Sequence, residues 1–470
     1  MLYNKSKATV WRGVNLNLIN RVKPYIIEIS ILFFYFIALF PGRPSYDAVL
    51  ITDMMKNGES AATWSATYFR LMQVLTFNGN ILSVASATGM VVFYLSFLFL
   101  MSALPFSNRI QLIIRRLVVA LPIFSIFALT VNHDVFAVSG IFILVSLLIK
   151  NKSLKNTNLI MVIFAGFLTS MSWLGIAAFL GFIFSILIKR RYKEAIISFS
   201  IITTFFLGSL LILNVDEGPS NRWLPIVGDL KCVAQDPDSK ITQNQWDYLI
   251  LLAPKNEWLN PASCVIADWA PDAAEKNISS EPIKSITLWA QLLITNQKTI
   301  VEAHLQRASV AMPPLFSAPP PNTFSTDYLS PIGQGVPANL FQFSEFLSTG
   351  RHTGQYESSP NFLKPIEIIT LTAAHLFNRT SYFWGWGGLW LLLSYFFFPF
   401  VFKKRNLHAL NPLLFTHILM LLASPGPVSR YVYASIITGI AISVGMFVVL
   451  FEKRDKVLGN TPEQDNSSSL

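Results

Sequence analysis

The residues best suited to chemistry in this chain sit in short polar turns between long apolar runs. The first turn reads Pro41-Gly42-Arg43-Pro44-Ser45-Tyr46-Asp47, and Asp53 follows within two helical turns. A carboxylate there suits a general base or an oxygen ligand for a divalent metal. It equally suits a helix cap, and both readings stay open. The second turn is Asn132-His133-Asp134. Both His133 and Asp134 must face water or protein there, either as functional groups or as a polar turn that has to be solvated. The third, Thr169-Ser170-Met171-Ser172-Trp173, is uncharged. The fourth, Ser424-Pro425-Gly426-Pro427-Val428-Ser429, leads into Arg430 and Tyr431. The planar fork of an arginine matches phosphate or carboxylate. Arg430 could also simply reach for lipid headgroups.

The elements that must hold these turns are apolar helices. The 470-residue chain is 52% hydrophobic and only 13% charged, against about 25% charged residues in a soluble domain. In hydrocarbon each backbone polar group has to be satisfied within its own segment, so long apolar runs read as membrane helices. The candidate spans are roughly 25–40, 81–104, 117–131, 135–149, 159–171, 173–188, 195–214, 382–402, 409–424 and 431–451, about ten crossings in all. A basic leader containing Lys5, Lys7, Arg12, Arg21 and Lys23 precedes the first run. No small-residue cleavage site follows that run, so the expectation is a retained span and no cleaved signal peptide.

Basic clusters prefer the cytoplasm. Lys150, Lys152 and Lys155 precede the 159–188 stretch, and Lys189, Arg190, Arg191 and Lys193 follow it. Both ends then lie inside, which demands two crossings with a turn near Ser170–Trp173. With both termini cytoplasmic, about 21 Lys/Arg and about six acids fall inside, against about 15 and about 20 outside. The formal net charge of +10 is therefore spread over many short loops. No single basic face forms, which argues against a nucleic-acid partner.

The expected fold is an all-α polytopic membrane protein with a large, mostly helical extracytoplasmic domain. Residues 1–214 form an N-terminal transmembrane module with a first outside loop at 41–80. Residues 215–381 form the outside domain, 382–451 the last spans, and 452–470 a cytoplasmic tail. Within the outside domain Ile286–Ala311 has helical spacing, and a proline-rich stretch runs from Met312-Pro313-Pro314 to Pro319-Pro320-Pro321. The two cysteines, Cys232 and Cys264, both fall in this domain. They read either as a disulfide, if the compartment oxidises, or as two free thiols.

The order of these marks resembles the GT-C superfamily of membrane glycosyltransferases, which use polyprenyl-phosphate sugars. Pro41, Gly42 and Asp47 follow the first span. His133-Asp134-Val135-Phe136 stands where relatives often have Lys-Asp. A helical stretch outside runs Trp289, Asn296, Ile300, His304, Arg307, and Arg430-Tyr431 opens a late span. The resemblance implies a multi-pass protein of a bacterial inner membrane that joins a polyprenyl-phosphate sugar to a glycan or lipid-linked acceptor. It implies Asp47 as the catalytic base and Arg430 and His133 as partners of the donor phosphate. Asp53, Asp134 and Tyr431 would be supporting residues. No metal-ligand spacing stands out, and a divalent cation is left open as a cofactor. Two other functions fit the same elements. One is a polysaccharide polymerase or ligase. The other is a transporter or flippase, which usually carries internal repeats and midplane charges.

Overall fold

The structure is a computed structural model. It describes residues 23–44, 46–57, 65–151, 153–154, 157–212, 223–260, 264, 271–312, 360–363, 365–367, 369–370, 373, 385–402, 406–424 and 432–458. Within these the chain is almost wholly helical. The first part contains α1 (Ile26–Ala38), α2 (Tyr46–Lys56), α3 (Ala66–Leu75), α4 (Leu82–Ala103), α5 (Asn108–Ala120) and α6 (Pro122–Leu129). There follow α7 (His133–Lys150), α8 (Thr157–Thr169), α9 (Trp173–Ile188) and α10 (Tyr192–Ile212). A second group comprises α11 (Leu224–Gln235), α12 (Gln243–Leu252), α13 (Asp272–Ser280), α14 (Pro282–Thr295) and α15 (Gln297–Arg307). Last come α16 (Gly387–Val401), α17 (Asn411–Ala423) and α18 (Tyr433–Leu458).

Three described helices are long and apolar enough to cross a membrane: Leu82–Ala103, His133–Lys150 and Tyr433–Phe451. Shorter apolar helices stand beside them at Thr157–Thr169, Trp173–Ile188, Gly387–Val401 and Leu407–Ala423. The outer faces of these helices are apolar. Phe33 and Phe34 on α1, Val91 and Leu95 on α4, Ile160 on α8, and Phe396 and Phe400 on α16 are all exposed. A water-facing surface seldom gathers so many large apolar side chains, whereas lipid accepts them.

Inside the bundle the fit comes from packing, because lipid tails are as apolar as the side chains. Phe93, Phe97, Phe124, Phe127 and Phe142 interlock, with ring centroids 4.8–6.2 Å apart, and bind α4, α6 and α7 together. Residues 223–300 gather a separate apolar core around the fully buried Trp258. Its indole N–H donates to the Leu249 carbonyl at 2.8 Å.

Two segments differ from the sequence expectation. The run expected at 117–131 begins as a helix at Asn108, where the Ser107 hydroxyl accepts from the Ile110 N–H. It breaks at Leu121 because Pro122 starts a new helix. The polar residues hid the first half: Arg115 is buried with Glu28 of α1, 3.5 Å away, and its guanidinium lies 4.6 Å from the Tyr25 ring centroid. The helix expected over Ile286–Ala311 is broken at Asn296, which leaves helical geometry and separates α14 from α15.

The stretch 159–188 is two helices with a turn at 170–172. Lys189 Nζ donates to Asn151 Oδ1 at 2.9 Å, and the Leu154 N–H donates to Glu194 Oε2 at 3.1 Å. The chain before α8 therefore meets the chain after α9, so the pair is a hairpin. Gly175 makes the turn tight: a Cβ there would lie 2.2 Å from the Thr169 carbonyl oxygen. Lys150 Nζ also reaches Ser102 at the end of α4, which gathers the basic residues at one end of the bundle.

Both flanks of a hairpin must respond alike to a reagent outside the cell, and a basic end predicts protection. Single Lys152→Cys and Arg190→Cys variants should both resist an impermeant maleimide in intact cells and react after permeabilisation. Labelling of only one flank contradicts the hairpin, and labelling of both reverses the orientation.

Candidate functional site

Three of the turns singled out by residue type meet at the end of the bundle opposite the lysines. After α1 the chain turns at Gly42, whose φ of +111° lies where a side chain is strained. A Cβ there would also lie 2.3 Å from Ser86 Oγ of α4. Glycine thus lets the chain pass against α4, where Ser86 in turn donates to the Leu129 carbonyl at 2.8 Å. The next two residues form β1 (Arg43–Pro44), which pairs in parallel with β2 (Thr130–Val131) after α6. Arg43 stands opposite Thr130 and Pro44 opposite Val131. Sequence reasoning placed these turns on one face and missed their pairing, because two residues carry no alternation to read.

The pairing puts the start of α2 beside the turn that opens α7. Asp47 is in the first turn of α2 and Asp53 is further along the same helix. Their side chains lie outside the described residues. Asn132 caps α7 by accepting from the Asp134 N–H at 2.9 Å. Asp134 is almost fully buried, and its Oδ1 lies 3.3 Å from His133 Nε2. The Ser172 hydroxyl, from the α8–α9 turn, donates to that same oxygen at 3.3 Å. The His133 ring packs edge-on against Tyr68 of α3, with centroids 5.5 Å apart. His133 Nδ1 is buried and makes no hydrogen bond among the described residues.

This arrangement has a definite chemical capacity. Asp134 and Tyr68 fix the plane of the imidazole, with Nε2 toward the carboxylate. With an N–H on Nε2, the other nitrogen of a neutral ring is a hydrogen-bond acceptor. The same turn is held from a further side, since Ser65 Oγ donates to the Ser170 carbonyl at 2.7 Å. Tyr68 and Ser65 sit in the loop and helix after residue 57. Sequence reasoning passed over them because a tyrosine and a serine among apolar residues carry no motif.

Arg430 and Tyr431 lie outside the described residues. The described residues on either side of them are held in place. Tyr433, the first residue of α18, stacks on Phe127 at 4.1 Å between centroids, three residues before β2. At the other end the Ser424 hydroxyl donates to the Arg307 carbonyl at 3.0 Å.

Arg307, His304 and Trp289, part of the sequence stretch noted outside, form a buried cluster around Asp229. Arg307 pairs directly with the Asp229 carboxylate, and the Trp289 indole donates to it at 2.9 Å. His304 Nε2 donates to the Leu421 carbonyl at 2.7 Å. Burial pushes the Arg307 guanidinium down to about 9. These residues fasten α15 to the end of α17.

Cys232 and Cys264 form a disulfide. Among the described residues no three His, Cys, Asp or Glu side chains are placed to hold a metal ion. Comparison of the chain with protein-family models, with curated proteins and with solved structures finds no match.

The β1–β2 pairing is open to a direct test. Paired residues in neighbouring strands stand within disulfide range. A Pro44→Cys/Val131→Cys double variant should cross-link under mild oxidation, read as a mobility shift between two halves cut at a protease site introduced within residues 58–64. Adding Gly42→Ala, which drives a methyl group into Ser86, should cut the cross-linked fraction severalfold. No cross-link in the double variant would contradict the pairing.

Proposed function

We propose that this chain is a membrane glycosyltransferase that moves a sugar from a polyprenyl-phosphate donor to a glycan or lipid-linked acceptor. One observation carries the reading. The turns at 41–44, 130–134 and 170–172, remote in sequence, converge at one end of an apolar bundle through the Arg43–Thr130 pairing and the Ser172–Asp134 hydrogen bond. A donor with a lipid tail and a phosphate head needs such a place, polar and next to lipid.

The topology belongs to the proposal. The chain crosses the membrane about ten times, with two short crossings at α8 and α9. Both termini are cytoplasmic, the 215–381 domain is outside, and the membrane is a bacterial inner membrane. Two observations support this orientation. The basic residues Lys150 and Lys189 gather at the end away from the site. The Cys232–Cys264 disulfide lies in the 215–381 segment, and disulfides persist in oxidising compartments.

The reaction follows from where the groups would stand. The Asp47 carboxylate takes the proton of an acceptor hydroxyl as that oxygen attacks the anomeric carbon. The bond between that carbon and the phosphate oxygen breaks, and its electron pair stays on the phosphate. The products are a glycosylated acceptor and polyprenyl phosphate. Negative charge grows on the leaving phosphate, so fixed cations beside it lower the barrier. Arg430 offers two parallel N–H donors for this. His133, steadied by Asp134 and Tyr68, would join it as a partner of the donor phosphate. Asp53 and Tyr431 support the base and the arginine. If a divalent cation takes part, the carboxylates of α2 would hold it, and it would supply further positive charge to the leaving phosphate.

In purified protein in liposomes, Asp47→Asn should cut turnover by about 10²–10⁴-fold, the usual worth of a general base. Arg430→Ala should nearly abolish donor use, and Arg430→Lys should weaken it, because lysine offers a point charge in place of a fork. Near-normal turnover in Asp47→Asn with loss in Asp53→Asn or Asp134→Asn moves the base to that residue. Unchanged apparent donor affinity in Arg430→Ala removes the arginine from the site.

A further inference from the structure

Helix α15 has three sides. Ile300, Ala303 and Arg307 are buried against the rest of the protein. Glu302 and Gln306 line a groove with Asp238 and Lys240. The third side carries Val301 and Leu305, one helical turn apart. Both are large and apolar, yet 46% and 36% exposed.

The place of this third side follows from the bond beside it. His304 Nε2 donates to the Leu421 carbonyl, near the end of α17, at 2.7 Å. Val301 lies three residues before His304 and Leu305 directly after it, so the two flank that junction. On α17 the exposed side chains are Ile418 and Leu422, at 41% and 68%. They are four residues apart and so share one face. That face belongs to the apolar outer surface of the bundle. Phe184 of α9, itself exposed, meets Phe415 of α17 with ring centroids 5.5 Å apart. Phe415 stands less than one turn before Ile418. The exposed apolar surface thus runs from α9 to α17 and, across the His304–Leu421 bond, onto α15.

Continuity decides what covers Val301 and Leu305. Apolar side chains left in water are unfavourable when they extend a larger apolar patch, whereas the layer between headgroups and acyl chains accepts them. The neighbouring polar side, with Glu302 and Gln306, suits the water-facing part of such a helix. A protein partner would need an area far broader than two side chains. The level of α15 is also fixed, because it is fastened to α17 twice. Besides the His304 bond, the Arg307 carbonyl accepts from the Ser424 hydroxyl at 3.0 Å.

We propose that the phospholipid surface itself is the partner of α15. The Val301–Leu305 side is immersed in the interfacial layer of the leaflet where α17 ends, and Glu302 and Gln306 stay in water. The helices gathered around Trp258 are thereby seated on the bilayer by a lipid contact of their own. This inference rests on the lipid-facing surface of the bundle and is independent of the transferase reading.

The test uses the full chain in vesicles of phosphatidylethanolamine and phosphatidylglycerol. Single variants Val301→Cys, Leu305→Cys, Glu302→Cys, Gln306→Cys and Leu422→Cys each carry a nitroxide label, and thermal unfolding like that of the parent establishes that each is folded. Power-saturation EPR compares collisions with oxygen, which enriches in lipid, and with a nickel chelate, which stays in water. The oxygen-to-nickel ratio should be severalfold higher at 301 and 305 than at 302 and 306, and should approach that at 422. Equal ratios at all four positions of α15, with 422 still oxygen-rich, overturn the proposal and leave the bundle in lipid. A nickel-accessible label at 422 removes the lipid-facing surface, and the proposal falls with it. Labels at 301 and 305 shielded from both reagents also overturn it, and spin–spin broadening between chains would then identify a second copy as the cover.

Discussion

The site end of this molecule depends on a close crossing of backbone over backbone at Gly42. There the chain leaving the first helix passes against Ser86 with no room for a side chain, then lies parallel to Thr130–Val131. The crossing decides where α2 begins, and so where Asp47 stands relative to the turn that holds His133 and Asp134. The pairing is only two residues long, too short to be stable alone. It persists because the helices on both sides are locked by packing: α4, α6 and α7 share the phenylalanine cluster. The interlocked bundle makes the turns precise, and the turns make the site.

Buried charge is used sparingly and in two ways. Glu28 and Arg115 join α1 to α5, while Asp229 and Arg307 join α11 to α15. Removing one partner of such a pair typically costs about 3–5 kcal/mol, since the other charge is then stranded. Each pair therefore fixes a register and neither faces the site. His133 and Asp134 differ: part of the imidazole is still accessible, and one ring nitrogen makes no hydrogen bond among the described residues.

Much of this architecture is legible in the sequence because lipid imposes a simple rule. Apolar runs become helices, and the basic flanks of 159–188 announce a hairpin whose turn the structure has at 170–172. The second half of the 108–129 segment reads clearly and the first half does not. Its arginines look like a loop until Glu28, more than eighty residues away, is seen to neutralise one of them. The same limit applies at the site. Asp134 and His133 stand out by type, but Ser172 and Tyr68 gain meaning only once the chain has folded them against that pair. Cys232 and Cys264 could be read two ways, and only proximity decides for the disulfide. Long-range pairing of single polar residues leaves no periodic trace, so pattern reading finds the elements and misses their junctions.

The central claim is that this apolar bundle transfers one sugar from a lipid-phosphate donor. The most direct measurement is mass spectrometry of the host's surface glycans with and without the protein. The account predicts that one glycan lacks a single sugar residue in its absence. It further predicts that purified protein with the matching polyprenyl-phosphate sugar restores that residue and releases polyprenyl phosphate. Unchanged glycans, or the loss of whole repeat units with every single sugar in place, would contradict it.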